Sequence, residues 1–515
     1  MGKLRIDFAV FLGKVVIRLL RIMGRGATTL PGRVALRVCP DLLRELSNNR
    51  EILTVTGTNG KTTTTHIITA ILTNLGYTVI TNVSGANLAT GVATTLIEGR
   101  GIESRGKRED RRFVYVLETD EAAFSKIAGS LNPAVCVVTN LFRDQLDRYG
   151  ELSHTRDFLA KGLDAASGAK ILLNADDSLV ASLAVGREDR SVFFGMDESS
   201  MTRNTVTNAQ NQGLGSTTTD AAYCIFCRGK YEYNARSFGH LGDFSCPSCG
   251  YHRTKPAFAV KYSEDVTGDS EDVAKGEEWI SEGSVVEQAT RVGVALPRRM
   301  SPSDTGYPVV LSYLGDEVSV ALPIPGHHNF YNTLAAVAAV VLLKKKMEDE
   351  KSLFHRAAAA AESARPAFGR LEKIPVGNKE ICLLLVKNPI GLERALTFVS
   401  QASDAGGMYL LLNSNDADGK DVSWIWDVDF ESRSYPDRIF VSGERYGDMF
   451  LRLAYAGIEP SRMDARPMTE CGELVDQALA ACDEGKCLYI LPNYTSMLAL
   501  REILVRRYHL KDFWK

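Results

Sequence analysis

Residues 54–65 read TVTGTNGKTTTT, and no other stretch limits the possible folds so tightly. The apolar run ILTVT before it has strand character. KTTTTHIITAILTN after it has helical spacing and stops at Gly76. A strand that gives way to a glycine turn and then a helix gathers backbone N–H groups around phosphate oxygens at the helix N-terminus. In this pattern Gly57, Thr58, Asn59, Gly60, Lys61, Thr62 and Thr63 form the cradle. Lys61 is placed to reach the terminal phosphates, and Thr62 to ligate Mg²⁺. The spacing departs from the general P-loop because Val55 stands where that pattern requires glycine. One strand and one helix cannot bury their apolar faces alone, so the chain must continue as layered α/β. TVITN (78–82), RFVYVLETD (112–120), PAVCVVTN (133–140) and AKILLNADD (169–177) supply further strands. Each turns polar at its C-terminal end, where open parallel sheets bind ligands.

A second α/β series follows RPAFGRLE: EICLLLV, GMYLLLN, RIFVSG and CLYILP. The expected organisation is an N-terminal helix and arm (1–47), an ATP-binding domain (48–365) and a C-terminal α/β, Rossmann-like domain (366–515). Within the middle unit, EGRGIESRGKREDRR (98–112) reads as a charged loop, and 262–305, rich in Glu, Asp, Ser, Gly and Pro, as a flexible insert. An Ala-rich helix should cover about 329–365, broken at the charged KKKMEDEK. At the N-terminus, Phe8, Phe11, Leu12, Val15, Leu19 and Ile22 recur at three-and-four spacing beside Lys14, Arg18, Arg21 and Arg25. This is an amphipathic helix, suited either to packing on the body of the protein or to resting on an anionic membrane surface.

The 515 residues carry a net charge of −3, which gives no overall field for holding nucleic acid. No apolar run reaches about 18 residues. The expectation is a cytoplasmic protein, with peripheral contact at the inner membrane face left open. Four of the ten cysteines, Cys224, Cys227, Cys246 and Cys249, form two Cys-x-x-Cys knuckles with the spacing of a closed tetrahedral zinc ribbon over 221–255. Four thiolates leave no open coordination position, so such a zinc is structural. Tyr223, Phe226, Tyr251 and Arg253 would suit a nucleic-acid ribbon, but the acidic chain and the ribbon's place inside an ATPase unit weigh against it. The other cysteines are scattered, several in apolar runs, as reduced core thiols are.

GTNGKT resembles the ATP loop of the Mur ligase and folylpolyglutamate synthetase superfamily, and further motifs agree in order. VLETDEAA resembles the strand ending in a magnesium-binding Glu, here Glu118. TNLFRDQLDRYGE resembles the Asn-x-x-x-Asp-His-Leu-Asp segment. PGHHNFYNTLAAVAA matches the nucleotide-contacting pattern through His328, Asn329 and Asn332, and FGRLE resembles the entry to the C-terminal domain, with Arg370 as a phosphate contact. The resemblance implies a Mur-ligase-like central P-loop domain with a parallel sheet, ATP and Mg²⁺ as cofactors, and formation of an acyl phosphate. Three departures stand out. Gln145 occupies the position of a metal-binding His after Asp144. Lys161 lies one place off the lysine that relatives carbamylate. LLLVKNPIG, with Lys387, Asn388 and Pro389, replaces the segment that binds an incoming amino acid.

The ribbon inside this ATPase unit, together with NSNDADGKDVSWIWDVDFE (413–431), resembles the MurT family, synthetase subunits of lipid II isoglutaminyl synthase. That resemblance implies amidation of the D-glutamate α-carboxylate of the lipid II stem peptide to D-isoglutamine, for peptidoglycan synthesis. It also implies ammonia from a GatD-like class I glutaminase partner, in a heterodimer. Asp427 would complete that partner's Cys-His pair. The chain shows no Cys-His arrangement of its own to hydrolyse glutamine. Read without the family, Asp427 is equally a surface carboxylate or helix cap, because Asp416, Asp418, Asp421 and Asp429 crowd the same stretch. Trp424 and Trp426 are expected to be exposed for a partner. The expected catalytic set is Lys61, Glu118 and Asp427. A stand-alone amino-acid ligase and a zinc-ribbon nucleic-acid-binding ATPase remain as alternatives.

Overall fold

The computed structural model describes residues 2–23, 28–82, 85–106, 112–143, 152–203, 220–262, 307–323, 327–344, 349–364, 370–416 and 418–508. The N-terminal arm is three helices, α1 (Gly2–Ile22), α2 (Leu30–Val38) and α3 (Leu42–Ser47). Ala9, Val10 and Ile17 of α1 are buried in one cluster with Ala35, Leu42 and Ile97. Gly13 lets the helix approach closely, since a Cβ there would press on Ile97.

The central unit alternates strand and helix: β1 (Ile52–Thr56), α4 (Lys61–Asn74), β2 (Thr78–Thr81), α5 (Ala89–Gly106), β3 (Phe113–Glu118), α6 (Glu121–Leu131), β4 (Val135–Val138), α7 (Leu152–Ala165), β5 (Lys170–Asn174), α8 (Ser178–Ala181) and β6 (Ser191–Met196). A small sheet of β7 (Thr202–Arg203), β8 (Glu232–Phe238) and β9 (Leu241–Ser245) carries the cysteine knuckles. The main sheet resumes with β10 (Phe258–Tyr262), β11 (Tyr307–Tyr313) and β12 (Asp316–Leu322), and has nine strands in the order β12-β11-β10-β6-β5-β4-β1-β3-β2. From β2 to β10 the pairing is parallel. The β10-β11-β12 edge is antiparallel, so the sheet is mixed and not wholly parallel as expected from sequence. A parallel neighbour needs a long crossover, whereas β11 and β12 are joined by the tight Leu314-Gly315 turn, where both residues have positive φ.

Register positions the site. β1 lies between β3 and β4, with Val55 opposite Glu118 and Thr56 opposite Val138. The C-terminal ends of three strands therefore meet at the glycine turn. α9 (His327–Lys344) runs through the core, buried on every side from Asn329 to Lys344, and α10 (Glu350–Ala361) follows it. Lys344, at the end of α9, is buried against Glu51 and lies 4.0 Å over the Tyr77 ring.

One expectation fails at 98–112. α5 continues to Gly106, so most of that stretch is helix. Its charges are used: Glu98 accepts from Arg21 at 2.6 Å, Arg100 pairs with Asp7 at 2.9 Å, and Glu103 takes both Arg50 (2.7 and 2.8 Å) and the Tyr115 hydroxyl (2.8 Å). Residues 107–111 and the insert beyond Tyr262 lie outside the described residues.

A second sheet, ordered β13-β14-β18-β15-β16-β17, has its own cores on both faces. Its elements are β13 (Arg370–Val376), β14 (Lys379–Leu384), α11 (Pro389–Gln401), β15 (Ala405–Leu411), β16 (Ile439–Ser442), α12 (Tyr446–Tyr455), β17 (Met463–Ala465), α13 (Cys471–Ala481), β18 (Cys487–Pro492) and α14 (Tyr494–Tyr508). All pairs are parallel except β13 with β14.

Candidate active site

The glycine turn is held from behind by the residues after β4. Thr58 N–H donates to the Asn140 carbonyl (2.8 Å), and Asn59 N–H to the Asn140 side chain (2.9 Å), which returns its amide to the Asn59 carbonyl (3.0 Å). Thr139 Oγ1 also donates to that carbonyl at 2.7 Å. Gly57 and Gly60 have φ of 118° and 84°. A side chain at Gly60 would run into Asn332 Oδ1, so the start of α9 is packed directly on the turn. Asn332 donates to Asn329 Oδ1 at 3.1 Å, which keeps both expected nucleotide contacts together. Asn59 Nδ2 and Thr63 Oγ1 are buried and find no hydrogen-bond partner among the described residues. Such polar atoms are costly to bury unless something else satisfies them, and they fit a loop that receives phosphate oxygens.

Thr62 Oγ1 donates to Glu118 Oε2 at 2.8 Å, so the two expected magnesium ligands meet across α4 and β3. Hard oxygens of this kind suit Mg²⁺. Lys61 folds back, donating to the Gly57 carbonyl, the Thr58 carbonyl (3.2 Å) and Glu121 Oε1 (3.1 Å). Burial pushes the Glu121 carboxyl above the ordinary carboxylate range, against the pull of Lys61; Asp120 adds to the push and Lys387 to the pull.

The second sheet reaches this site. The LLLVKNPIG segment brings Lys387 within electrostatic range of Glu121, and Asn388 Nδ2 donates to Asn59 Oδ1 at 3.1 Å. Asn388 also caps α11 by accepting from Gly391 N–H at 2.8 Å. Asp427 accepts from Arg143 Nη1 at 3.4 Å, and both side chains are part-exposed. Its acidic neighbours have local partners, Asp416 pairing with Lys420 at 3.5 Å. Asp418 accepts from Thr495, Asp421 from Ser423 N–H (2.8 Å) and Asp429 from Ser432, while Asp416 is exposed. Asp427 thus reaches across to Arg143 of the central unit. Trp426 is exposed and lies edge-on to exposed Tyr455 of α12, but Trp424 is half-buried against the core, contrary to expectation. Alternate exposure is lost because Ser423–Asp427 is a 3₁₀ turn, not a strand.

In the small sheet, Cys224 and Cys249 Sγ are 3.6 Å apart, and Cys227 and Cys246 Sγ 3.4 Å. All four Sγ atoms lie within 4.8 Å of one another. Such a cluster has the size that four thiolates need to hold one zinc ion, with Zn–S bonds of about 2.3 Å. The two knuckles share one turn: Cys224 N–H donates to the Gly229 carbonyl and Cys246 N–H to the Tyr251 carbonyl, each at 2.7 Å. Arg228 and Gly250, at matching places, have positive φ. Arg253 is buried, not offered to a polyanion: it donates to Asp176 Oδ1 (2.7 Å) and the Met196 carbonyl (2.7 Å). Asp176 also accepts from the Tyr331 hydroxyl of α9 at 2.5 Å. At the far end of the hairpin, Phe238 and His240 pack on Phe142, and the Arg394 guanidinium of α11 lies 3.8 Å from the centre of the Phe238 ring. Phe142 N–H in turn donates to Thr58 Oγ1 at 3.1 Å.

Arg370 starts β13 opposite Leu384, and its side chain is outside the described residues. Asp144 and Gln145 also lie outside them. Lys161 is exposed on α7, and His328 is half-buried in the first turn of α9. Sequence reasoning missed Glu121, Thr139 and the contacts of Asn140 and Asn388 with the loop. The Asp120-Glu121 pair, two and three places after Glu118, was the visible signal for the first.

Residues 55–236 match the family described as Mur ligase middle domain, and residues 385–497 match MurT ligase C-terminal. Among solved structures, the pseudomurein peptide ligase type C of Methanothermus fervidus superposes with TM-score 0.58 at 19% identity, covering 91% of this chain and 81% of that one. MurF from Acinetobacter baumannii gives 0.59 at 14%, covering 93% and 81%. The fold is that of a Mur-type ligase, which implies ATP and Mg²⁺. A Streptococcus pneumoniae protein is 32% identical over 94% of each chain, and a Staphylococcus aureus protein 28% identical over 97% of this chain and 98% of its own length. Both are named subunit MurT of lipid II isoglutaminyl synthase (glutamine-hydrolysing). The chain belongs to the MurT family of ligases.

Proposed function

We propose that the protein amidates the α-carboxylate of D-glutamate in the lipid II stem peptide, at the membrane surface, using ammonia from a GatD-like class I glutaminase bound as a heterodimer. The observation that carries this reading is the near full-length similarity to two relatives named for that reaction. A carboxylate oxygen attacks the γ-phosphorus of ATP and ADP leaves, giving an acyl phosphate. The ammonia lone pair then attacks the acyl carbon, phosphate departs, and the nitrogen loses a proton. Such chemistry asks the protein for positioning and cations, not a covalent nucleophile. Lys61 exchanges its loop carbonyls and Glu121 for phosphate oxygens, Arg370 adds a second cation, and Asn329 and Asn332 hold the nucleotide. Thr62 and Glu118 would hold Mg²⁺, which would supply charge neutralisation at the phosphates.

Lys387 and Asn388 occupy the loop side of the segment that would otherwise bind an amino acid, which suits ammonia, a nucleophile that needs no recognition pocket. Asp427, beside exposed Trp426, is assigned to orient the partner's His. The four cysteines hold a structural zinc whose closed ligand set leaves no position for activating water. Phosphate release by the purified complex with lipid II and ATP tests the class: it should respond to ammonium and not to added amino acids. Release driven by an amino acid but not by ammonium would identify a stand-alone ligase.

A further inference from the structure

The face of α1 opposite its buried side is apolar and, among the described residues, largely uncovered. Leu4, Phe8, Phe11, Leu19 and Ile22 are between 54% and 82% exposed, with half-buried Val15 among them at helical spacing. A helix that served only to pack on the body would place its polar residues there. Here the body is served by the other side, through Ala9, Val10, Gly13 and Ile17. The apolar stripe is therefore held outward by a fixed base.

Charge indicates what covers it. Residues 2–22 carry five basic side chains, Lys3, Arg5, Lys14, Arg18 and Arg21, against one acid, Asp7, and Asp7 is paired with Arg100. Lys3, Lys14 and Arg18 are exposed. Among the described residues no helix is long and apolar enough to cross a membrane. Large apolar side chains beside basic ones, on a helix too polar to span, suit the interface of an anionic bilayer: rings enter the acyl boundary and cations meet lipid phosphates. We infer that α1 docks the protein on an anionic lipid surface through Leu4, Phe8, Phe11, Leu19 and Ile22, with Lys14 and Arg18 giving the charge preference.

The test is co-sedimentation of the full chain with vesicles of phosphatidylglycerol and phosphatidylcholine, without substrate, so that its outcome is independent of the proposed reaction. Binding should favour the anionic vesicles, weaken with salt, and fall about tenfold or more in Phe8→Glu/Phe11→Glu at unchanged thermal midpoint. Lys14→Glu/Arg18→Glu should lose the preference for anionic lipid. Equal binding of parent and Phe8→Glu/Phe11→Glu, no binding by the parent, or a parent dimer that becomes monomeric in that variant would overturn the inference. The last result would make a second copy of the chain the occupant.

Discussion

Lys61 donates to two loop carbonyls and the buried Glu121 side chain, so its ammonium is already held in the loop before ATP arrives. Lys61→Ala should cut ATP turnover by about 10³-fold or more while the thermal midpoint stays within a few degrees, because the loop is held mainly by Thr139 and Asn140. Retained turnover would mean that another group meets the terminal phosphate. Glu121 gives a pH signature. Its folded-state value is raised by burial, so folding favours its protonated form; that contribution is whole below the ordinary carboxylate range and is lost as pH climbs through the raised value. Neutral Glu121→Gln should therefore gain in thermal midpoint on the parent as pH rises above the ordinary carboxylate range, and a parent that gains instead would show the Lys61 pair dominating. The loop was legible in sequence because its residues are contiguous. Glu121, Asn140 and Asn388 were not, because strand register and packing between the two sheets bring them to the turn.

At the scale of elements, the small sheet is more than a self-contained brace. Its core is shared with the main domain: Tyr231 and Phe244 cluster with Ala181, and Phe193 packs against them. Arg253 ties it to Asp176 and so to Tyr331 of α9, and its hairpin end touches both Phe142 and α11. Cys227→Ser should lower the thermal midpoint by several degrees, as should chelation of the parent, with little further effect of chelator on the variant. A variant that keeps its midpoint but loses ATP turnover would argue against a structural metal. The knuckle spacing was visible in sequence, whereas β10, β11 and β12 were not. Two of them alternate half-exposed and buried residues, and the polar insert that separates β10 from β11 masks the pattern.

Across the whole molecule, the proposed reaction needs two subunits and a surface. Asp427 and Trp426 lie on the second sheet's side of the Arg143 contact, accessible to a partner. Asp427→Asn should reduce glutamine-driven amidation by at least about tenfold while free ammonium still supports it, since a carboxylate that orients a partner's His acts only on glutamine hydrolysis. Equal loss with both nitrogen sources would place Asp427 in the synthetase step. The two α/β series were legible because each sheet repeats its own strand pattern, but the Arg143–Asp427 and Asn59–Asn388 contacts join residues hundreds of positions apart. The most direct measurement is mass spectrometry of lipid II from cells co-expressing this chain with a class I glutaminase. The account predicts conversion of the stem-peptide glutamate carboxyl to an amide, dependent on Lys61. Unaltered lipid II in the presence of a folded, associated pair of subunits would contradict it.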